Sequence, residues 1–302
     1  MAVRDLVEQD TVVRNESLWD DSRRVAELAE CKSLVAAVVQ MESGPDKRHN
    51  IARAIALTSR AIDGGATLIA LPETFDYRGS SSGFQESAEA LPGSAVEPLV
   101  ALARQHRVWI VAGSVHESDA AGGMPFNTSV LISPHGDMAA RYRKIHLFDI
   151  VIGDKSVTES SKYQRGDEVV VTDAAGVKLG LTICYDLRFP ELYRLLADAG
   201  AEVICIPSSF TAPTGEAHWE VLVRARAIEN QCFVLAPGQA GVGAGGIATY
   251  GNSMIVDPWG RVLARASSQG EEVISAKLDF DEMADIRRRL PALDNRKSAT
   301  IR

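Results

Sequence analysis

The chain of 302 residues is 46% apolar and 24% charged, with a formal net charge of −8. That is the balance of a soluble globular protein long enough to bury a large core. The acidic surplus and the absence of a Lys/Arg cluster exclude a nucleic-acid or anionic-membrane partner and favour a small molecule. No apolar run reaches the ~20 residues of a membrane helix, and Arg4, Asp5, Glu8 and Asp10 break the pattern of a signal peptide. Cys31, Cys184, Cys205 and Cys232 stand far apart without a C-x-x-C pair, so reduced thiols, no zinc and a cytoplasmic setting are expected.

Residues 1–32 are polar and acidic, with a short helix expected around "SLWDDSRRVAELAE", and read as an N-terminal extension. "SLVAAVVQ" then opens an alternation. "ATLIALPE" and "VWIVAGSVHE" have the composition of strands, and "DKRHNIARAIALTSRAID" and "AVEPLVALARQH" the apolar spacing of helices. Strand and helix taking turns defines an α/β class. "NTSVLISPHGDMAARYRKIH" and "GNSMIVDPWGRVLARA" predict hairpins turning at Pro134–Asp137 and Asp257–Gly260, hence antiparallel pairs within mixed sheets. "VKLGLTIC", "AEVICIPS" and "CFVLAPG" are apolar on successive residues, as strands covered on both faces are. With no Pro/Gly/Ser-rich linker, residues 33–285 read as one domain and 286–302 as a C-terminal tail.

In "GLTICYDLRFPELYR" the strand is expected to end at Cys184, a turn to follow, and Pro190 to take the first helical position. A strand end in an α/β fold is where loops bring functional groups together. Cys184 is therefore either a buried packing residue or a nucleophile. A nucleophilic thiol needs a base, and none of the six histidines stands in a setting that marks it as the partner. A second constellation uses Glu73 at the end of "ATLIALPE", Lys144 at the end of "MAARYRK" and Glu159 in the loop "DKSVTESSKYQRGDE". Taken singly, each is more often a solvated surface charge than a functional group.

Taken together, "LPETF", "RYRKIHLFD" and "GLTICYDLRFPELYR" occur in the order of the nitrilase superfamily of carbon-nitrogen hydrolases, which the chain resembles over about residues 33–292. The resemblance implies that Glu73 is the general base, Lys144 the catalytic lysine, Cys184 the nucleophile and Glu159 the second glutamate. "CYDLRFPE", "GEAHWEVLVRARAIENQCFV" and "YGNSMIVDPWG" are similar to the Nit-type amidase branch. That implies cleavage of a small carboxylate-bearing amide, of the 2-oxo acid or deaminated-glutathione type, to acid and ammonia through a thioester. It also implies a four-layer α-β-β-α sandwich, a homodimer or higher homo-oligomer, and no metal or organic cofactor.

On this reading the backbone N–H of Tyr185, next to the nucleophile, and the Lys144 ammonium meet the developing oxyanion. Arg188 is a planar fork suited to a substrate carboxylate, or else pairs with Asp186 or Glu191. The resemblance places Phe210 and Thr211 beside the same carboxylate. Two features depart from the family: the N-terminal extension and the glycine-rich "GVGAGG" of residues 241–246. No helix is expected after that loop, which argues against a phosphate cradle. The competing functions are an N-carbamoyl amino-acid hydrolase, a glutamine-amidotransferase-like subunit, and a non-catalytic binding module on the same fold.

Overall fold

The computed structural model describes residues 33–152, 155–243 and 246–297. The helix expected within residues 1–32 lies outside them. Every element below belongs to the unit Lys32–Arg302.

The first half builds one sheet. Strands β1 (Ser33–Gln40), β2 (Leu68–Ala70) and β3 (Trp109–Glu117) run parallel at its centre. β4 (Phe126–Ile132) and β5 (Met138–Arg143) extend it as an antiparallel hairpin, and β14 (Glu272–Asp279) closes the other edge against β1. The second half repeats the plan. β9 (Val177–Leu181), β10 (Val203–Cys205) and β11 (Phe233–Ala236) are parallel, flanked by β8 (Val170–Ala174) on one side and by β12 (Met254–Val256) and β13 (Val262–Arg265) on the other. A short ribbon, β6 (Asp149–Ile152) with β7 (Lys155–Thr158), stands apart.

Helices α1 (Lys47–Asp63) and α3 (Gly93–His106) cover the outer face of the first sheet. Ala54, Leu57, Ala61, Val96, Leu99 and Ala103 pack there on Ala37, Val39, Ile69 and Ile110. A short helix, α2 (Ser81–Ser87), lies between α1 and α3 in the chain. Helices α4 (Pro190–Asp198) and α5 (Ala212–Asn230) serve the second sheet. α6 (Phe280–Arg289) follows β14 and packs Phe280 on Phe233, so the boundary drawn at residue 285 falls inside a helix.

The sheets meet through β1 with β11 and β14 with β12 and β13, giving the four layers α-β-β-α. β1 shows why its sequence lacks alternation: Ala37 and Val39 face the helices while Ala36 and Val38, equally buried, face the other sheet.

Several strands are shorter than their apolar runs. β2 ends at Ala70, because Pro72 has no N–H to continue the ladder. β9 ends at Leu181, so Cys184 opens a turn three residues beyond the strand instead of terminating it. Lys144 likewise follows β5, and Cys232 precedes β11. The apolar character persists because these turns are themselves buried between layers.

Candidate active site

Four chain segments bring their side chains to one place, and each has a local reason for its path. After β2 the chain turns at Glu73, and Thr74 adopts a left-handed φ of 49°. A bulge in β3 next to Gly113 accommodates that turn. A Cβ on Gly113 would lie 1.9 Å from the Pro72 carbonyl oxygen, so only glycine lets the turn pass. The adjoining Ser114 Oγ accepts the Thr74 N–H at 3.0 Å. Gln239 Nε2 donates to the Glu73 carbonyl at 3.0 Å.

Lys144 leaves β5 with its N–H on the Asn127 carbonyl at 2.9 Å, and its side chain is only 1% exposed. The ammonium lies 2.9 Å from Glu73 Oε1 and 2.8 Å from Glu159 Oε2. Glu159 starts a single 3-10 turn, Glu159–Ser161, and also accepts the Phe148 N–H at 2.6 Å. Asn127 Nδ2 bridges the two carboxylates, donating to Glu73 at 2.9 Å and Glu159 at 3.2 Å. Burial disfavours the ammonium, but the charges of Glu159 and Glu73 outweigh it and hold the Lys144 pKa well above the ordinary lysine value.

Cys184 begins a second 3-10 turn, Cys184–Arg188, with a left-handed φ of 49°. Asp186, fully buried, pins the turn. It accepts the Ile183 N–H at 2.8 Å, the Tyr142 hydroxyl at 2.7 Å, and the His146 N–H and ring Nδ1 at 3.1 and 2.7 Å. Pro190 then starts α4, as its position predicts. The Cys184 N–H is taken by the Pro207 carbonyl at 2.9 Å and the Asp186 N–H by Ile183. Between them the Tyr185 amide has no acceptor among the described residues.

The thiol and the Glu73 carboxylate line the same cleft, and the Glu73 charge and the Ser209 backbone N–H both act on the sulfur. Burial, followed by the Glu73 charge, pushes its pKa well above the ordinary thiol value despite Lys144 and Ser209 pulling it down. The resting group is therefore a neutral thiol facing a carboxylate, which calls for proton removal during attack.

These groups line a cleft of about 210 Å³ whose other walls include Tyr77, Arg78, Phe84, Phe148, Lys162 and Tyr163. Glu73, Lys144, Glu159, Cys184 and Thr211 all reach it. Tyr185 and Phe210 instead border a recess of about 10 Å³ that shares Phe148, Cys184, Ser209 and Thr211 with the cleft. Arg188 lines neither space. Its Nη1 lies 3.2 Å from His218 Nδ1, and its guanidinium sits over the rings of Tyr185 and Phe210 at 5.9 and 5.3 Å. Its ion pairs with Asp186 or Glu191 do not form, because Asp186 is committed to Tyr142 and His146.

His116 does line the cleft, but the Tyr163 hydroxyl donates to its Nδ1 at 2.7 Å and its Nε2 faces the Tyr77 carbonyl at 3.1 Å. Burial lowers its pKa, so it is a neutral, fully occupied imidazole. Asn127, Ser209 and Arg78 had no signal in the sequence that tied them to this place. Among the described residues no cluster of His, Cys, Asp and Glu has the arrangement of a metal site, and no helix is long and apolar enough to cross a membrane.

The model of the family "Carbon-nitrogen hydrolase" matches residues 35–288. Deaminated glutathione amidase of Synechocystis sp. is 40% identical over 270 residues, 88% of this chain and 98% of that protein. Omega-amidase NIT2 of Mus musculus is 35% identical over 263 residues, 87% of this chain and 94% of that protein. The crystal structure of Saccharomyces cerevisiae Nit3, a member of branch 10 of the nitrilase superfamily, superposes with a TM-score of 0.80 at 32% identity, covering 88% of this chain and 97% of that one. The chain belongs to the carbon-nitrogen hydrolase family, as an amidase-type enzyme of the nitrilase superfamily.

Proposed function

We propose that this enzyme hydrolyses a small carboxylate-bearing amide, of the 2-oxo acid or deaminated-glutathione type, through a thioester on Cys184. The observation that carries the reading is the convergence of a neutral buried thiol, a carboxylate within its reach and a buried ammonium held by two carboxylates. The Cys184 sulfur attacks the amide carbon while Glu73 takes its proton. Lys144 and the Tyr185 N–H receive the carbonyl oxygen as it becomes negative. Glu73 returns the proton to the nitrogen, the C–N bond breaks, and ammonia or the amine of a substituted amide departs. Water then attacks the thioester with Glu73 again as base, and the acid leaves as the thiol is restored. Glu159 touches no reacting atom in this scheme. With Asn127 it holds the ammonium where the oxyanion forms.

The substrate lies in the cleft, with its acyl end toward the wall where Thr211 stands beside Cys184 and where Phe210 and, over its ring, Arg188 lie behind. The two enzyme names among the relatives support this class above N-carbamoyl amino acids. The reading also carries a cytoplasmic setting. Assembly into a homodimer or larger oligomer is supported by exposed Leu195, Val221, Ile228 and Trp259 on and beside α4 and α5. Light scattering of the purified chain tests the assembly. For the activity, release of ammonia or amine is scored on 2-oxo acid monoamides, deaminated glutathione and N-carbamoyl amino acids. Turnover of either of the first two, abolished by Cys184→Ala, is the expected result. Turnover of carbamoyl substrates alone, or activity surviving Cys184→Ala, would overturn it.

A further inference from the structure

The turns that carry the two glutamates are anchored in different ways. The Glu73 turn lies on the first sheet. Ser114 of β3 accepts the Thr74 N–H on its Oγ at 3.0 Å and the Phe75 N–H on its carbonyl at 3.3 Å. Ser43 Oγ and Asn50 Nδ2 donate to the carbonyls of Phe75 and Asp76, each at 2.8 Å. The Glu159 turn instead follows the ribbon of β6 and β7, which pairs with no further strand among the described residues. Its backbone bonds return to the neck of that ribbon: the Glu159 N–H meets the Phe148 carbonyl at 3.2 Å and the Ser160 N–H meets Asp149 Oδ1 at 3.0 Å.

From Asp149 to Tyr163, among the described residues, two side chains hydrogen-bond beyond the ribbon and its neck. One is Glu159 itself, through Lys144 and Asn127. The other is Tyr163, whose hydroxyl lies 2.7 Å from Nδ1 of His116 on β3. The Tyr163 N–H also meets the Glu159 carbonyl at 3.1 Å, so the hydroxyl and the carboxylate belong to one hydrogen-bonded turn.

The proton order along this link is fixed. His116 Nε2 faces the Tyr77 carbonyl at 3.1 Å. A carbonyl only accepts, so Nε2 carries the ring proton, Nδ1 is left as acceptor, and the Tyr163 hydroxyl donates. Burial lowers the His116 pKa against the pull of the Asp76 charge, which keeps the ring neutral and the order intact. Both rings line the cleft, stack with 16° between their planes and are nearly enclosed. A hydroxyl and an imidazole buried there are costly unless each is satisfied, and here each satisfies the other.

We infer that Tyr163 and His116 are positioning residues: their hydrogen bond ties the Glu159 turn to β3 and, through Glu159, sets where the Lys144 ammonium stands as the oxyanion forms. Neither touches a reacting atom. The inference rests on the function proposed above and adds to it the support behind Glu159.

The test measures kcat and KM on 2-oxoglutaramate or deaminated glutathione, whichever the wild type turns over. Tyr163→Phe removes the hydroxyl and keeps the ring. It should lower kcat roughly tenfold with KM within about twofold, since a displaced ammonium meets the oxyanion less well while the cleft walls stay in place. His116→Leu removes the acceptor from the other side and should match that loss, and the double variant should lose no more than the larger single one. His116→Asn returns an oxygen to the place of Nδ1 and should keep kcat within about threefold of the wild type. Where Tyr163→Phe does not fold, His116→Asn against His116→Leu decides the matter. An unchanged kcat in Tyr163→Phe, a loss confined to KM, or a His116→Asn as impaired as His116→Leu overturns the inference while the proposed function stands. A wild type that turns over neither substrate overturns both.

Discussion

Replacing Glu73 with glutamine separates thiol reactivity from catalysis. Glu73 is the second cause, after burial, of the raised Cys184 pKa, while Lys144 opposes it. Glu73→Gln removes one negative charge beside the sulfur and leaves the ammonium. We expect the thiol pKa to fall toward the ordinary thiol value. The assay is the pH dependence of alkylation by iodoacetamide, followed by loss of free thiol. In the wild type the rate should climb without a plateau through pH 9, and in Glu73→Gln the plateau should appear at lower pH. Amide turnover should move the opposite way, falling by roughly 10²- to 10⁴-fold with the general base lost. An unshifted alkylation profile, or a variant retaining turnover, would refute the reasoning that Glu73 both restrains the thiol and takes its proton.

Other substitutions probe the supports of the same site. Lys144→Met should lower kcat by roughly 10²- to 10³-fold and cost about 3–5 kcal/mol of stability, because two buried carboxylates lose their counter-charge. That stability loss should be smaller at pH 5 than at pH 8, since protonating a carboxylate relieves the repulsion, and thermal melts at both pH values measure it. In the wild type the raised Lys144 pKa contributes stability that is complete below the unfolded lysine value of about 10.4 and is lost as pH rises through the folded one. Asn127→Leu removes the donor shared by Glu73 and Glu159, and should lower kcat roughly tenfold while Cys184 still alkylates. Asp186→Asn sets an amide against four donors and should cost about 2–4 kcal/mol in denaturant unfolding, with reduced turnover as the Cys184 turn loosens.

The buried strands were legible in the sequence, whereas the four layers and the four residues that meet in the cleft were reached through the family resemblance. Strands such as β1 read as buried on both faces because Ala36 to Val39 offer no polar alternation, and Pro190 marks the start of α4 by its missing N–H. Glu73, Lys144, Glu159 and Cys184 could be joined only through resemblance to the family, since nothing local ties a glutamate to a cysteine more than 100 residues away. Asn127, Ser209 and Arg78 stayed hidden for the same physical reason. Asn127 looks like any polar residue of a strand, and it becomes a bridge only when β4 is laid beside β5 and the Glu73 turn. Strand ends were misplaced by three residues at both Cys184 and Glu73. Burial, which the sequence reports, continues through turns whose hydrogen bonds go to Ser114, Pro207 and Asp186 instead of to a neighbouring strand.

The central claim is that Cys184 carries the acyl group through a thioester. Rapid acid quench of the wild type during turnover of 2-oxoglutaramate, followed by peptide mass spectrometry, tests it most directly. The account predicts an acyl adduct on the peptide containing Cys184, discharged by hydroxylamine and absent in Cys184→Ala. An adduct on Cys205, Cys232 or any other residue, or turnover that proceeds in Cys184→Ala, would contradict it.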